Sequence, residues 1–265
     1  MADKGDCLSG VDGVIVINLD RRPDRWTAFQ DIWRDHLPWE RVVRLSASDG
    51  TQLTGYGQSP WFRGRKRDRT WAGRGGCALS HVRALREAAA RGWDRVLILE
   101  DDAVPTEGMT SGAMTAVLAR SDWSLLYLGC HEPMGPFRPA GDGLMGIHGA
   151  LDAHAYVVTA TLRDWLIERM PDEANLWPWI ARERAVDRWY RREIGRRFTV
   201  MMCAPPLALQ IEGASDITQI WRAADHARPT PMDGAPSSRM AFELKRLGEI
   251  GGDRLRAAVK RRVGF

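Results

Sequence analysis

Glu100, Asp101 and Asp102 follow directly on the apolar run Val96-Leu97-Ile98-Leu99. Three acids at the end of a buried strand repel one another. On an extended chain Glu100 and Asp102 share a face about 6.6 Å apart, with Asp101 opposite. At an effective dielectric of about 20 those two charges cost about 2.5 kcal/mol. A divalent cation turns the repulsion into attraction, and hard carboxylate oxygens suit Mg2+ or Mn2+. In open α/β sheets the ligand crevice lies beyond such strand ends. The plainer reading is a solvated acidic start to a loop.

Other residue types in the chain suit the same kind of chemistry. Asp187 sits in "ERAVDRWYRR" beside Ala185, Val186, Trp189 and Tyr190. A carboxylate on a partly buried helix can take a proton as a general base; otherwise it pairs with Arg184 or Arg191 along its own helix. Ser80 and His81 are expected in the first turn of a helix, where free N–H groups hold anions. A capping or packing histidine is the alternative there. Gly75 and Gly76 allow close backbone approach. Asn18, Arg21 and Arg25 follow the first strand, and an arginine fork fits a phosphate, although Asp24 and Arg25 also suit an ion pair at a helix start. The basic stretch "WFRGRKRDRTW" (61–71) offers Trp61 and Trp71 as stacking platforms for a sugar ring, or is simply a solvated loop.

These residues need elements to place them. "VIVINL" (14–19) is a β-branched run of the fully buried kind. A helix follows, with Pro23 in its first turn and Trp26, Phe29 and Trp33 at helical spacing. "RVVRLSA" (41–47) predicts a second strand and 49–75 a long loop. The spacing of Ala78, Val82, Leu85 and Ala89 predicts a helix from about Cys77 to Arg91, closed by Gly92. Strands are expected at 95–100, 124–129, 155–159, 198–203 and, more weakly, 208–211, with a charged helix around 181–194. Such alternation predicts an α/β fold, a mostly parallel central sheet flanked by helices. The expected organisation is a domain over 1–224, a Pro/Ala/Ser linker over 225–238, and a basic amphipathic tail over 239–265, broken at Gly251-Gly252.

Composition sets outer bounds. The 265 residues, 44% hydrophobic and 27% charged, support a real core. A net charge of +4 is too small to imply nucleic acid. The first ten residues lack the basic and apolar regions of a secretory leader, and no apolar run approaches about 20 residues. The four cysteines, Cys7, Cys77, Cys130 and Cys203, are far apart, without zinc or disulfide spacing. Reduced thiols and a cytoplasmic protein are expected. The tail alternates Leu244, Leu247, Leu255 and Val259 with Lys and Arg, a pattern suited to an anionic inner-membrane surface, to the domain or to a second subunit.

Six stretches together resemble glycosyltransferase family 25. They are "VIVINLDRRPDRW" (14–26), "GGCALSHVRALREA" (75–88), "VLILEDDA" (96–103), "LYLG" (126–129), "HAYVVTA" (154–160) and "PLALQIEGASDI" (206–217), in the family's order. The sequence departs from the family at His154, where a small or hydroxyl residue is more usual. The resemblance implies a GT-A-like, Rossmann-type fold and inverting transfer of a sugar, often galactose, from a UDP-sugar donor to a glycan or other hydroxyl acceptor such as a lipooligosaccharide. It implies Mn2+, or Mg2+, at the acidic motif, with Asp102 and Glu100 as ligands. Asn18, Arg21, Arg25, Gly76, Ser80, His81, Glu100, Asp101, Gln210 and Asp216 are then the candidates for donor contact, and Asp187 the candidate base. The competing classes are a Mg2+-dependent phosphohydrolase or nucleotidyltransferase and a non-enzymatic nucleic-acid module. A missing Asp-x-Asp nucleophile pattern and Gly-rich nucleotidyl loop weigh against the first, and the mild charge against the second.

Overall fold

The computed structural model describes residues 8–65, 67–110, 112–211, 213–214, 221–222 and 238–263. In chain order the strands are β1 (Gly13–Asn18), β2 (Val42–Ser46), β3 (Arg95–Glu100), β4 (Ala103–Pro105), β5 (Leu125–Met134), β6 (Arg138–Gly141), β7 (Leu144–Ile147), β8 (Gly149–Thr159), β9 (Val200–Cys203) and β10 (Ala208–Gln210). The longer helices are α1 (Pro23–Trp33), α2 (Arg67–Ala90), α3 (Ala113–Ala119), α4 (Ala160–Arg169), α5 (Leu176–Glu183), α6 (Val186–Glu193) and α7 (Arg239–Val263). None of them is long and apolar enough to cross a membrane.

The central sheet has eight strands in the order β2-β1-β3-β8-β5-β9-β7-β6. β8 opposes β3 and β5, and β7 opposes β9 and β6, so these two run against the other six. The sheet is therefore mostly of one direction, as the alternation of elements requires. β1 is buried along its whole length because both of its faces are covered. Ile15 and Ile17 point with Val96, Ile98 and Val158 into a core closed by α2, α4, α5 and α6. Val14 and Val16 point with Leu97, Leu99 and Val157 into a second core closed by α1 and α3. The period of two in the strands builds the two-sided sandwich directly.

The short strands β4, β6 and β7 were not expected, and four further details differ from expectation. α2 begins at Arg67, ten residues before the predicted start, so the second half of 61–71 is helix. Asp68 starts it, its carboxylate accepting the N–H groups of Arg63 and Arg65 at 2.9 and 3.0 Å. The predicted helix at 181–194 is two helices, parted where Arg184 takes a left-handed φ of 73°. β10 pairs antiparallel with β4 instead of joining the main sheet. Finally, α7 runs unbroken through Gly251 and Gly252. Each glycine costs a helix about 1 kcal/mol, and the inward contacts of Phe242 and of Asp253 with Arg192 hold it. The predicted linker falls outside the described residues except for Ser238.

Candidate active site

The ends of β1 and β3 open into a cavity of about 480 Å3, within the range of small-molecule sites. β1 and β3 pair in parallel with Ile17 opposite Glu100, so their chain ends reach the rim together. Just beyond, the Asp101 N–H bonds the Ile17 carbonyl at 3.1 Å and the Ile211 N–H bonds the Asp102 carbonyl at 2.8 Å. The acids are thus held in a turn, and the strand alternation expected for them stops at Glu100.

Each acid finds a separate environment. Asp101 accepts from Asn18 Nδ2 at 2.6 Å and from Arg25 at 3.1 Å. Burial still raises its pKa, against those two partners. Asp102 accepts from Gln210 Nε2 at 3.0 Å and lies 3.6 Å from Arg25. Its Oδ1 is buried with no hydrogen-bond partner, and burial, with the charges of Glu100 and Asp101, pushes its pKa to about 7. Glu100 turns toward α2, where His81 Nε2 lies 3.1 Å and Cys77 Sγ 4.0 Å from its Oε1.

α2 forms one wall. Arg69, Gly73, Arg74, Cys77, Ser80 and His81 fall on one face, at steps of one, three or four residues, and all line the cavity. Because the helix starts at Arg67, Ser80 and His81 stand well inside it, and the expected first-turn anion site is not there. Ser80 instead ties the 47–50 loop to α2: its Oγ accepts from Ser48 N–H at 2.8 Å and donates to the Gly76 carbonyl at 2.7 Å. Gly76 serves the same junction, since a Cβ there would lie 2.3 Å from Ser48 O and 2.8 Å from Gly50 N. Gly75 likewise admits Trp177. The fully buried His81 is fixed at Nδ1 by the Tyr156 hydroxyl at 2.9 Å. Nε2 therefore faces Glu100 and Cys77. One ligand atom from each of Cys77, His81 and Glu100 can lie within 4.8 Å of the others, a geometry a metal ion could bridge. Cysteine spacing alone did not suggest this group, because the third donor comes from a distant strand. Burial pushes the Cys77 thiol well up, followed by the charge of Glu100, so it is protonated as the cavity stands.

Across from these groups lies Asp187, half-buried in the first turn of α6. It makes neither of the intrahelical pairs weighed for it. Its carboxylate accepts the Arg188 N–H at 2.7 Å and the Asp152 N–H at 3.3 Å. Burial, then the charge of Asp152, raises its pKa. Asp152 lines the same cavity from β8 with a φ of 59°. A non-glycine residue in that region is unusual, and such strain collects at functional sites. Sequence reasoning missed Asp152; its one signal is an acid interrupting the apolar run of β8.

Arg21 reaches the cavity and pairs with Asp49 at 2.9 Å. Asp24 pairs with Arg22, whose hydrogen bonds hold its pKa down at about 2, and so leaves Arg25 to Asp101. Asn18 lies behind the rim, donating to Asp101 and accepting from Arg44 at 2.7 Å. Trp61 and Trp71 do not line this cavity: Trp71 packs on the main core beneath Lys260, and Trp61 lines a separate groove. His154 is buried where a Cβ on Gly129 would meet it. Asp216 lies outside the described residues.

The fold is a mixed α/β one, a mostly parallel sheet covered by helices on both faces, with an acid- and arginine-lined cavity at its strand ends. Within that class the chain resembles glycosyltransferase family 25. It is 34% identical, over 52% of its length, to human inactive glycosyltransferase 25 family member 3. It is 33% identical, over 45% of its length, to the Bos taurus protein named probable inactive glycosyltransferase 25 family member 3. The matches span 25% and 22% of those relatives' own lengths. No family model matches the chain. Among solved structures, a glycosyltransferase involved in the glycosylation of the major capsid of PBCV-1 covers 78% of this chain and 95% of its own, at 8% identity and a TM-score of 0.43.

Proposed function

We propose that the chain is a GT-A-like, metal-assisted glycosyltransferase that moves a hexose, galactose before others, from a UDP-sugar to a hydroxyl of a glycan acceptor with inversion. One observation carries the reading. A single cavity of ligand size holds the Glu100–Asp102 acids and a separate, desolvated carboxylate, Asp187. A donor site and a base are the two things such a transfer needs.

The residues fit a divalent cation. The unpartnered, buried Oδ1 of Asp102 and the clustered donors of Glu100, His81 and Cys77 are groups that a cation would satisfy. Asp102 and Glu100 would hold Mn2+ or Mg2+, while the imidazole and thiol beside Glu100 also admit a softer ion. Bound there, the cation would neutralise charge developing on the departing diphosphate. Arg25 and Arg21 offer guanidinium forks to the same phosphates. Gln210 and Asn18 fix the acids' orientation. Asp187 takes the acceptor hydroxyl proton, and its raised pKa makes it a better acceptor of that proton than an ordinary surface aspartate. Cytoplasmic residence, with Cys77, Cys130 and Cys203 as free thiols, belongs to the same proposal.

A second reading, donor binding without turnover, is favoured by one finding: both relatives bear the word inactive in their names. A panel of UDP-sugars with and without Mn2+, read by thermal shift and by slow donor hydrolysis, separates the two. A transferase shows a metal-dependent shift with one donor and releases UDP from it. A binding protein shows the shift alone.

A further inference from the structure

α7 is packed inside out. Its buried face is charged: Arg246, Asp253 and Lys260 recur every seven residues against the body, with Phe242 among them. Its outward face is apolar. Met240, Leu244, Leu247 and Leu255 are 76%, 66%, 56% and 68% exposed, and their spacing, continued by Ala258, keeps them on one side of the helix. From Met240 to Leu255 that stripe runs about 22 Å at helical rise. The other exposed large apolar residues among those described, Ile32, Phe137 and Ile211, are scattered.

The charges on α7 are sorted in the same way. Its three acids all turn inward: Glu243 to Arg196 and Arg246, Glu249 to Arg191, and Asp253 to Arg192. Its exposed charged residues, Arg239, Arg254, Arg256, Arg261 and Arg262, are all cationic. Arg254 and Arg261 also line, with Arg182, Trp61, Pro60 and Pro178, a groove of about 490 Å3 beside the stripe. An apolar stripe whose exposed charged neighbours on α7 are all cations, next to a groove with three guanidiniums, has the complement of an anionic lipid surface. Acyl chains meet the leucines and headgroup phosphates meet the arginines.

We infer that the outward face of α7 and its adjoining arginine groove dock the protein on anionic membrane. This adds to the proposed transferase and is independent of the donor cavity, which no residue of the stripe lines. The test is co-sedimentation of the full chain with vesicles of phosphatidylcholine alone or in equal parts with phosphatidylglycerol. The chain should pellet with the anionic vesicles and be released by salt. The variant Arg182→Gln/Arg254→Gln/Arg261→Gln should bind about a hundredfold more weakly, and Leu244→Glu/Leu247→Glu/Leu255→Glu should stay in solution. Both variants should keep the wild-type melting temperature and its response to UDP-sugar with Mn2+. Equal binding to neutral vesicles, no binding to either, or a stable dimer that Leu247→Glu converts to monomer would each overturn the inference.

Discussion

Asp187 and Asp152 are two carboxylates coupled through a backbone hydrogen bond and through charge, at the wall facing the Glu100–Asp102 acids. If Asp187 is the base, Asp187→Asn should lower transfer by about a hundredfold or more while leaving donor binding intact, as read by turnover and titration side by side. Stability should move the other way. A carboxylate whose folded pKa is raised opposes folding once pH exceeds its unfolded value, so the Asn variant should melt no lower than wild type at neutral pH. That advantage should vanish toward acid pH. Wild-type turnover should rise with pH through a midpoint raised above that of an ordinary aspartate, because only the ionised form accepts the proton. Arg188 and Arg191 on α6, Arg74 and Cys77 on α2, and Asp152 on β8 surround the group. Of these Asp152 raises the midpoint, so Asp152→Asn should shift the profile to lower pH. Asparagine tolerates the left-handed backbone, which keeps that variant folded. Asp187 and the acidic triplet were singled out by their own neighbours along the chain and Gln210 by the family motif, and all of them line one cavity. Asp152 and Cys77 were not legible in this way, since their meaning comes from partners brought by β8 and β3.

Among elements, α2 shows most clearly where reading the sequence fails. Its first turns, "RDRTWAGRGG", are basic and glycine-rich, a composition that locally favours a loop. Tertiary contacts override it, because Gly75 and Gly76 let Trp177 and the 48–50 loop approach the helix more closely than any side chain allows. β1, β3, β5, β8 and β9 were legible because both faces of the sheet are covered there, and a continuous apolar run can do little else; the short β4, β6 and β7 were not read from the sequence. Gly76→Ala should cost about 1–3 kcal/mol in denaturant unfolding and weaken donor binding, since the displaced loop carries Asp49, the partner of Arg21. The inverted face of α7 was equally hidden. Its leucines and cations suit a membrane surface, the domain or a second subunit alike, and it is Arg192 and Asp253, both 1% exposed and 3.0 Å apart, that turn the leucines outward. Asp253→Ala leaves Arg192 buried with a single acid and should cost about 3–5 kcal/mol. The apolar exchange Arg192→Met/Asp253→Leu should recover most of that loss.

At the scale of the whole molecule, two differently charged regions stand apart. The strand-end cavity mixes acids with arginines, which suits a metal and a diphosphate together. The outward face of α7 presents cations and leucines, which suit a lipid surface. An acceptor carried on a membrane would bring the two regions into one task. The claim on which the account turns is that the donor's pyrophosphate sits at Glu100 and Asp102. The most direct measurement is a crystal structure of the protein with a UDP-sugar and Mn2+. The account predicts a cation between the diphosphate and Asp102, with the sugar directed toward Asp187. A nucleotide seated outside that cavity, or a diphosphate in it with neither Glu100 nor Asp102 on the metal, would contradict it.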